Sequence, residues 1–241
     1  MPGRTDEVWK SSSLASLYLE GVRAAIPLAN EQIDVMLRLI GALGAPVRRF
    51  LDLGCGDGVL SWALAERFPD AHGVLADFSE PMLDAARKRF SQRPGSARFV
   101  NIDYGLATWP HSVHEYGPYD VVVSGYSIHH QTDTRKREIY REIFDLLGPG
   151  GLFINVEHVS SPTPWIAGVH GDLVIDHLQL HQPGKSRREL AEVYYNRPDK
   201  AANILAPVEA QCQWLGEIGF TDVDCYLKIF ELAVFGGRKP A

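Results

Sequence analysis

Short apolar runs alternate with amphipathic segments along most of the chain. Five such runs begin at Phe50, His72, Ala97, Tyr119 and Leu152. The runs at Phe50 and Tyr119 are apolar almost throughout, which is typical of central strands in a parallel sheet. Between the runs, apolar residues recur every three to four positions, as in residues 31–43 and 133–147, and this spacing predicts amphipathic helices. Strands and helices that alternate in this way predict an α/β fold.

The end of the chain follows a different pattern. Residues 207–218 predict a helix, and residues 220–226 and 230–237 predict two strands joined by a short turn. A turn this short joins strands only in antiparallel order, so we expect the sheet to end in a hairpin.

We divide the chain into four segments on this basis. Residues 1–45 precede the first strand and predict an N-terminal helical cap. Residues 46–158 form the predicted core, and residues 207–241 complete it with the last helix and the hairpin. Between them, residues 159–206 interrupt the strand–helix alternation with prolines and short helices, so we expect a lid that carries substrate specificity.

The first strand leads directly into a turn with glycine at every second position. Gly54, Gly56 and Gly58 form this turn, and Asp52 and Asp57 bracket it. Glycines allow a sharp turn and a close approach of a ligand to the backbone. The spacing differs from the G-x-G-x-x-G that holds a dinucleotide pyrophosphate. Two carboxylates would repel a pyrophosphate but suit a ligand with an ammonium or sulfonium charge.

This Asp-x-Gly-x-Gly-x-Gly turn resembles the first motif of the class I S-adenosylmethionine (SAM)-dependent methyltransferases. Residues 77–83 (Asp-Phe-Ser-Glu-Pro-Met-Leu) and 146–154 (Leu-Leu-Gly-Pro-Gly-Gly-Leu-Phe-Ile) resemble two further motifs of that family. The resemblance covers about residues 47–157 and 207–238. It implies a Rossmann-like, doubly wound α/β sheet of seven strands, mostly parallel with a C-terminal antiparallel hairpin. It also implies SAM as the cofactor.

The resemblance places SAM at the carboxyl ends of the strands. Asp77, which ends the second strand, would accept the ribose hydroxyls. Its alternative role is to cap the next helix, although Ser79 could do that alone. Asp103, which ends the third strand, would accept from the adenine amine, although an Asp before Gly105 also starts turns.

Further cofactor contacts follow from the same resemblance. Those expected around the turn, near the adenine and at the fourth strand are Asp52, Gly54, Cys55, Gly56, Asp57, Phe78, Met82, Tyr104, Ser124 and Tyr126. Methyltransferases often cover SAM with an N-terminal extension, and Tyr18 and Arg23 would then be the contacts from residues 1–45.

Methyl transfer is an in-line displacement that depends above all on proximity, and on a base where the acceptor keeps its proton. His129 and His130 follow the fourth strand and Glu157 ends the fifth, so we name these three as candidate catalytic residues. Histidine titrates near neutrality, which suits proton removal from a hydroxyl. The two histidines could instead begin a loop, one bonded to the backbone and the other exposed.

Residues near and within the lid are the candidates for substrate contact. His158 precedes the lid, and Trp165, His177, His181 and Tyr194 lie in it. His177 and His181 are one helical turn apart and could hold a metal together. No Glu follows His177 as in zinc-binding helices, so we predict no metal site. An ordinary polar helix face is the alternative reading of these histidines.

We expect the acceptor to be a small aromatic or hydroxylated molecule, methylated on oxygen or nitrogen. Lys185, Arg187 and Arg188 could bind an acidic group on it, or form a solvated loop. The net charge of −6 argues against tRNA as the substrate of methylation or of another SAM-derived group transfer. An NAD-dependent oxidoreductase is disfavoured by the glycine spacing. A regulatory subunit that binds SAM without turnover stays open as an alternative.

Composition indicates the broad class of protein and its cellular compartment. The 241 residues are 45% hydrophobic and 22% charged, which is typical of a globular protein. The first residues lack the apolar core of a signal peptide, and no apolar run of about 18 residues predicts a membrane span. Cys55, Cys212 and Cys225 form no Cys-x-x-Cys pair, which favours a reducing, cytoplasmic setting. A homodimer is a further expectation left open.

Overall fold

The computed structural model describes residues 5–17 and 25–241. Its centre is a seven-stranded sheet in the order β3-β2-β1-β4-β5-β7-β6. The strands are β1 (Arg49–Leu53), β2 (His72–Asp77), β3 (Ala97–Asn101), β4 (Tyr119–Gly125), β5 (Leu147–His158), β6 (Thr221–Ile229) and β7 (Leu232–Arg238). Strands β1 to β5 are parallel, and β7 is antiparallel to both β5 and β6. The predicted Rossmann-like sheet with a C-terminal hairpin is confirmed.

Helices cover both faces of this sheet. Those in the described ranges are α1 (Ser12–Leu17), α2 (Ala29–Gly41), α3 (Val59–Arg67), α4 (Glu80–Arg89), α5 (Asp133–Leu146), α6 (Pro164–His181), α7 (Arg187–Tyr195) and α8 (Val208–Ile218). The sequence pattern predicts the first lid helix near residues 169–180, whereas in the structure this helix, α6, begins five residues earlier, at Pro164. The reason is a cap that the pattern did not reveal: the Thr163 hydroxyl accepts the Ile166 N–H.

Each face of the sheet has its own apolar layer. On one face, Tyr140 of α5 and Leu215 of α8 pack with Phe153 of β5. On the other, Met36 of α2 and Leu64 of α3 belong to a second buried cluster. Burial of both faces explains why the central strands read as continuous apolar runs.

The carboxyl ends of β1, β2, β4 and β5 lie at one edge of the sheet. Strand β1 pairs with β2 on one side and with β4 on the other, so the strand order reverses at this point. Open α/β sheets bind ligands at such a reversal. Strand β7 starts at the same edge, because Leu232 pairs with His158 at the end of β5. The β6–β7 turn therefore also reaches the ligand-binding edge.

The N-terminal segment is fastened to this edge by polar contacts. The Ser79 hydroxyl donates to the Trp9 carbonyl at 2.7 Å, and the Gln131 amide donates to Asp6 at 2.8 Å. The predicted cap contacts Tyr18 and Arg23 lie outside the described residues. Within the described ranges, no helix has both the length and the apolar character needed to span a bilayer.

Candidate active site

A cavity lies at the edge of the sheet where β1, β2, β4 and β5 end. Its wall combines the glycine turn, the strand ends, the N-terminal segment and the region between β5 and α8. The predicted site residues that line it are Asp52, Gly54, Cys55, Gly56, Asp77, Phe78, Met82, Tyr104, Tyr126, His129, His130, His158 and Tyr194. Those that lie outside the lining are Asp57, Asp103, Ser124, Glu157, Trp165, His177 and His181.

The turn requires glycine at two positions for different reasons. At Gly54, φ is +70° and an added Cβ would lie 1.9 Å from the Ser127 hydroxyl, because the segment after β4 packs against the bare backbone. At Gly56, φ is +54° and an added Cβ would meet no described atom within 4 Å. Since Gly56 also lines the cavity, its missing side chain leaves a ligand free to approach the backbone.

Asp77 places a buried carboxylate on the cavity wall. Its Oδ2 accepts the Gly56 N–H at 2.9 Å, and its Oδ1 accepts the Ser79 N–H at 2.8 Å. Burial raises the pKa of this carboxyl from 3.8 to about 6, against the opposing effect of the backbone hydrogen bonds. A carboxylate oxygen accepts two hydrogen bonds, so both oxygens can also receive a ligand hydroxyl. Ser79 is the N-cap residue of α4, as the sequence predicts, but its hydroxyl donates to the Trp9 carbonyl and makes no cap hydrogen bond.

The neighbouring wall is apolar. Phe78 and Met82 follow Asp77, and Cys55 lies in the glycine turn. Tyr104 is 3% exposed and donates its hydroxyl to the Ser127 carbonyl at 3.0 Å. These side chains give a flat heterocycle an apolar surface beside the Asp77 carboxylate.

Three of the residues predicted to bind the cofactor have structural partners instead. The Asp57 carboxylate pairs with the Arg89 guanidinium. The Asp103 carboxylate accepts the Gly105 N–H at 2.9 Å, which is the turn-starting role named as its alternative. The fully buried Ser124 hydroxyl donates to the Leu53 carbonyl at 2.7 Å and ties β4 to β1. None of the three lines the cavity, so their contact with the cofactor stays a prediction.

His129 and Glu157 form a buried pair where β4 and β5 end. The His129 Nδ1 lies 2.6 Å from Glu157 Oε1, and the His129 N–H donates to Glu157 Oε2 at 3.0 Å. Glu157 is fully buried behind the imidazole, whereas His129 lines the cavity. Burial raises the pKa of Glu157 to about 7 and lowers that of His129 well below 6.5. Uptake of one proton by the pair would cancel its buried negative charge, so burial favours that uptake.

Both ring nitrogens of His130 are engaged by other groups. The Trp9 indole N–H donates to Nε2 at 3.0 Å, and Nδ1 lies 3.3 Å from the Ala202 carbonyl. Burial lowers the pKa of His130 to about 3, so the ring is neutral. A neutral imidazole that accepts a hydrogen bond at one nitrogen and donates one at the other has no free nitrogen with which to take a proton from a substrate. This corrects the prediction of His130 as a base and favours a role in fixing the N-terminal segment.

The predicted substrate residues divide into two groups. His158 and the buried Tyr194 line the cavity, whereas Trp165 is 75% exposed on the outside of α6. His177 and His181 lie beyond the cavity, and His181 Nδ1 contacts the His177 carbonyl at 2.9 Å. His170, two turns earlier on the same face of α6, does line the cavity. Since a helix rises 1.5 Å per residue, His177 lies about 10 Å too far along the axis.

Several cavity residues were missed by the sequence analysis. Arg197 is the clearest example: its Nε and Nη2 donate to Asp199, while its buried Nη1 has no hydrogen-bond partner in the described structure. The others include Trp9, Gln32, Asp199 and Asn203. Residues 196–200, Asn-Arg-Pro-Asp-Lys, combine charge and proline in a loop without periodicity. The composition of such a segment predicts a solvent-exposed loop, and only the tertiary structure shows that it lines the cavity.

Comparisons with known proteins show the family of this chain. The model of the family described as a methyltransferase domain matches residues 50–151. An uncharacterized methyltransferase of Mycobacterium tuberculosis H37Rv is 33% identical over 147 residues, which are 58% of this chain and 68% of the relative. The carboxy-S-adenosyl-L-methionine synthase of Desulforapulum autotrophicum is 25% identical over 241 residues, covering 95% of this chain and 90% of that protein.

A solved structure has a similar fold. The human N-acetylserotonin methyltransferase in complex with SAM superposes with a TM-score of 0.57 at 14% identity. That alignment covers all of this chain but 60% of the human one, so the chain spans less than two thirds of that neighbour.

The chain belongs to the class I SAM-dependent methyltransferase family. Its own residues fit this cofactor: Gly56 leaves the backbone open to a ligand, and a buried carboxylate and an apolar wall lie beside it. SAM is therefore its cofactor, and methyl transfer is the reaction of the family.

Proposed function

We propose that this methyltransferase acts on an oxygen or nitrogen of a small aromatic or hydroxylated acceptor that carries an acidic group. The observation that supports the proposal is the pair of His129 and Glu157. Nδ1 of His129 lies 2.6 Å from Oε1 of Glu157, and the imidazole lines the cavity. Arg197 adds a donor for the acidic group on the same wall. The net charge of −6 favours a small molecule over a nucleic acid.

The residues at the ends of β1 and β2 would hold SAM. The Gly56 backbone would receive the amino-acid end, and the Asp77 carboxylate would accept from the ribose hydroxyls. Phe78 and Met82 would pack against the adenine. When bound, SAM supplies an electrophilic methyl group, so the remaining chemistry is the positioning and deprotonation of the acceptor.

His129 would be the general base. Glu157 holds Nδ1, so Nε2 is the nitrogen that can take a proton from an acceptor hydroxyl or amine. Glu157 is the positioning residue, because it contacts the imidazole and the backbone of residues 129 and 158 but lies outside the cavity lining. Its negative charge stabilises the imidazolium that forms when His129 takes the proton.

Arg197 would bind the acidic group of the acceptor. Asp199 holds the guanidinium at 2.8–3.1 Å through two of its nitrogens, and the third is buried without a partner among the described residues. A fixed guanidinium recognises carboxylate oxygens in a defined orientation. This assigns to Arg197 the role that the sequence analysis expected of Lys185, Arg187 or Arg188. Arg187 pairs instead with Asp172 and Asp176, and Arg188 is exposed.

A screen with isotope-labelled SAM tests the proposal. Candidate phenols, hydroxy acids and aromatic amines would be incubated with the protein, and the methylated product would be identified by mass spectrometry. We expect an acidic aromatic or hydroxylated compound to be labelled. Arg197→Lys should raise KM for this acceptor about tenfold or more, because the fork geometry is lost. Arg188→Lys, the matched exposed control, should leave it unchanged.

A different outcome of the screen would reject the acceptor class. If only neutral, non-aromatic compounds or nucleic acids were labelled, the proposal would be wrong. An unchanged KM in Arg197→Lys would reject the assigned role of that residue.

A second candidate is group transfer onto SAM itself. The carboxy-S-adenosyl-L-methionine synthase matches nearly the full chain, and Arg197 could bind a carboxylate attached to the cofactor as well as one on an acceptor. Mass spectrometry of the nucleoside products separates the two candidates. Methyl transfer yields S-adenosylhomocysteine and a labelled acceptor. The second activity needs a carboxyl donor, replaces one methyl proton of SAM by the donated carboxyl group, and yields a carboxylated SAM with no S-adenosylhomocysteine.

A further inference from the structure

A second group of side chains meets at the cavity, apart from the residues assigned to SAM and to proton transfer. His158 Nε2 lies 2.9 Å from Glu231 Oε2, and His170 Nε2 lies 3.7 Å from the same oxygen. One ligand atom from each residue lies within 4.8 Å of the others. Within the described ranges, this is the one cluster of three that has metal-ligand geometry.

Three different elements hold these side chains. His158 is the last residue of β5, His170 lies in the second turn of α6, and Glu231 lies in the β6–β7 turn. The β5–β7 register fixes two of them beside each other, and the Val159 N–H donates to the Glu231 carbonyl at 2.8 Å. Ligands held by the scaffold in this way form a site that is arranged before the ion arrives.

His170 is the residue whose environment calls for a further ligand. Its side chain is 97% buried, and its Nδ1 has no hydrogen-bond partner among the described residues. At 3.7 Å, its Nε2 is also too far from Glu231 for a hydrogen bond. A buried imidazole without partners is unfavourable, since buried polar groups are normally satisfied. An ion shared with Glu231 and His158 would give the buried imidazole one partner, at Nε2, while Nδ1 would still have none among the described residues.

Two of the three separations between the candidate ligand atoms are close to those around a small tetrahedral cation. Zinc binds imidazole nitrogen and carboxylate oxygen at about 2.0–2.1 Å, so two of its ligands lie about 3.3 Å apart. The observed separations of 2.9 and 3.7 Å lie on either side of this value. Two imidazoles and one carboxylate also suit zinc better than magnesium or calcium, which prefer oxygen ligands.

We propose that His158, His170 and Glu231 bind one zinc-class divalent cation, with its fourth position open to the cavity. His158 and His170 line the cavity, so an acceptor oxygen can reach that position. The His129 and His158 rings lie 5.6 Å apart, which puts the cation beside the proposed base. Its use in binding an acceptor oxygen rests on the proposed function, whereas the binding of the cation does not.

Metal titration of the full chain tests the site without any acceptor. Tag-free protein would be treated with a chelator, dialysed and titrated calorimetrically with zinc chloride, and separately with cobalt chloride while the visible spectrum is recorded. We expect one equivalent of zinc to bind and cobalt to give the intense absorption of a tetrahedral site. His170→Gln and Glu231→Gln should each weaken zinc binding at least about 100-fold, because a direct ligand is lost.

The chain supplies its own control for adventitious binding. His177 and His181 lie outside the cavity on the same helix, one turn apart, and could hold a surface ion. The double variant His177→Ala/His181→Ala should keep the full zinc affinity. SAM titration checks that each variant is folded, since none of these residues belongs to the proposed SAM site.

The outcomes separate cleanly. Zinc binding that is lost in the double variant but kept in His170→Gln would overturn the proposal, as would the absence of stoichiometric binding to the wild type. Neither result would touch the methyl transfer assigned to His129 and Glu157. Conversely, zinc binding without any methylated product would reject the proposed function and leave the metal site standing.

Discussion

The two halves of the cavity are built in contrasting ways. In the half at the ends of β1 and β2, backbone N–H groups of Gly56 and Ser79 hold the Asp77 carboxylate, and all of these residues lie within a short stretch of chain. In the half at the ends of β4 and β5, side chains hold one another across long separations. Trp9 and His130 are 121 positions apart, and His130 and Ala202 are 72 apart, whereas Gly56 and Asp77 are only 21 apart.

The two kinds of construction correspond to two tasks: binding of the cofactor, which all members of the family share, and binding of the acceptor, which differs between members. Every member of the family binds the same cofactor, so a compact motif with backbone contacts is sufficient. The acceptor differs between members, and side chains from several segments can vary independently. We therefore expect substitutions in the first half to affect SAM affinity and those in the second half to affect turnover.

The largest effect should follow from removal of the base. His129→Gln should reduce turnover by about 10²–10⁴-fold, the usual contribution of a general base. Its SAM affinity should stay near that of the wild type. Product formation by mass spectrometry and SAM calorimetry measure the two quantities on the same sample. Full turnover in this variant would mean that positioning alone suffices.

Substitution of Glu157 should have a smaller effect on the same quantity. Glu157→Gln keeps a hydrogen bond to His129 but removes the buried charge that favours the imidazolium. We expect a loss of turnover below that of His129→Gln, partly recovered in Glu157→Asp. A purely structural role would instead lower thermal stability and SAM affinity together, so both are measured alongside the rate.

The pH dependence of SAM binding should report on Asp77. Its pKa of about 6 means that the carboxylate, which would accept from the ribose, becomes protonated as the pH falls through 6. SAM affinity should therefore be constant above pH 7 and fall about tenfold per pH unit below 6. Asp77→Asn should be weaker throughout and lack this decline. A wild-type affinity that stays constant down to pH 5 would contradict the assignment.

The smallest effect separates two glycines within one turn. Gly54→Ala forces a Cβ to within 1.9 Å of Ser127, at a positive φ, and should destabilise the fold by about 2 kcal/mol or more. Gly56→Ala carries only the strain of the positive φ, about 1 kcal/mol, because its Cβ meets no described neighbour. Chemical denaturation measures both. SAM calorimetry should then show that Gly56→Ala, although it destabilises the fold less, loses more SAM affinity relative to its loss of unfolding free energy than Gly54→Ala does.

The same contrast explains what the sequence could predict. The sheet, the glycine turn and the placement of Asp77 follow from local patterns: apolar runs, glycine spacing and an acid at a strand end. Asp57 and Asp103 match the same patterns, yet their carboxylates turn to Arg89 and to Gly105. A local pattern predicts where in the fold a residue lies, but it does not predict which neighbouring group its side chain contacts.

The acceptor half was harder to predict because its partners are far apart in the chain. Helical periodicity puts His170, His177 and His181 on one face of α6, but only tertiary packing decides which turn meets the cavity. Arg197 lies in a loop whose composition resembles a solvent-exposed connection. The sequence pattern does not distinguish His130 from His129, because the Trp9 indole that donates to His130 lies 121 positions away.

The most direct test of this division is calorimetric titration of SAM into three proteins: the wild type, Asp77→Ala and His129→Ala. Loss of hydrogen bonds to a charged group should weaken binding to Asp77→Ala by about 1.5–3 kcal/mol, or roughly 10-fold to 150-fold. His129→Ala should bind SAM within about twofold of the wild type, because its side chain serves the acceptor half. Equal affinities for wild type and Asp77→Ala, or a loss in His129→Ala as large as that in Asp77→Ala, would contradict the separation of the two halves.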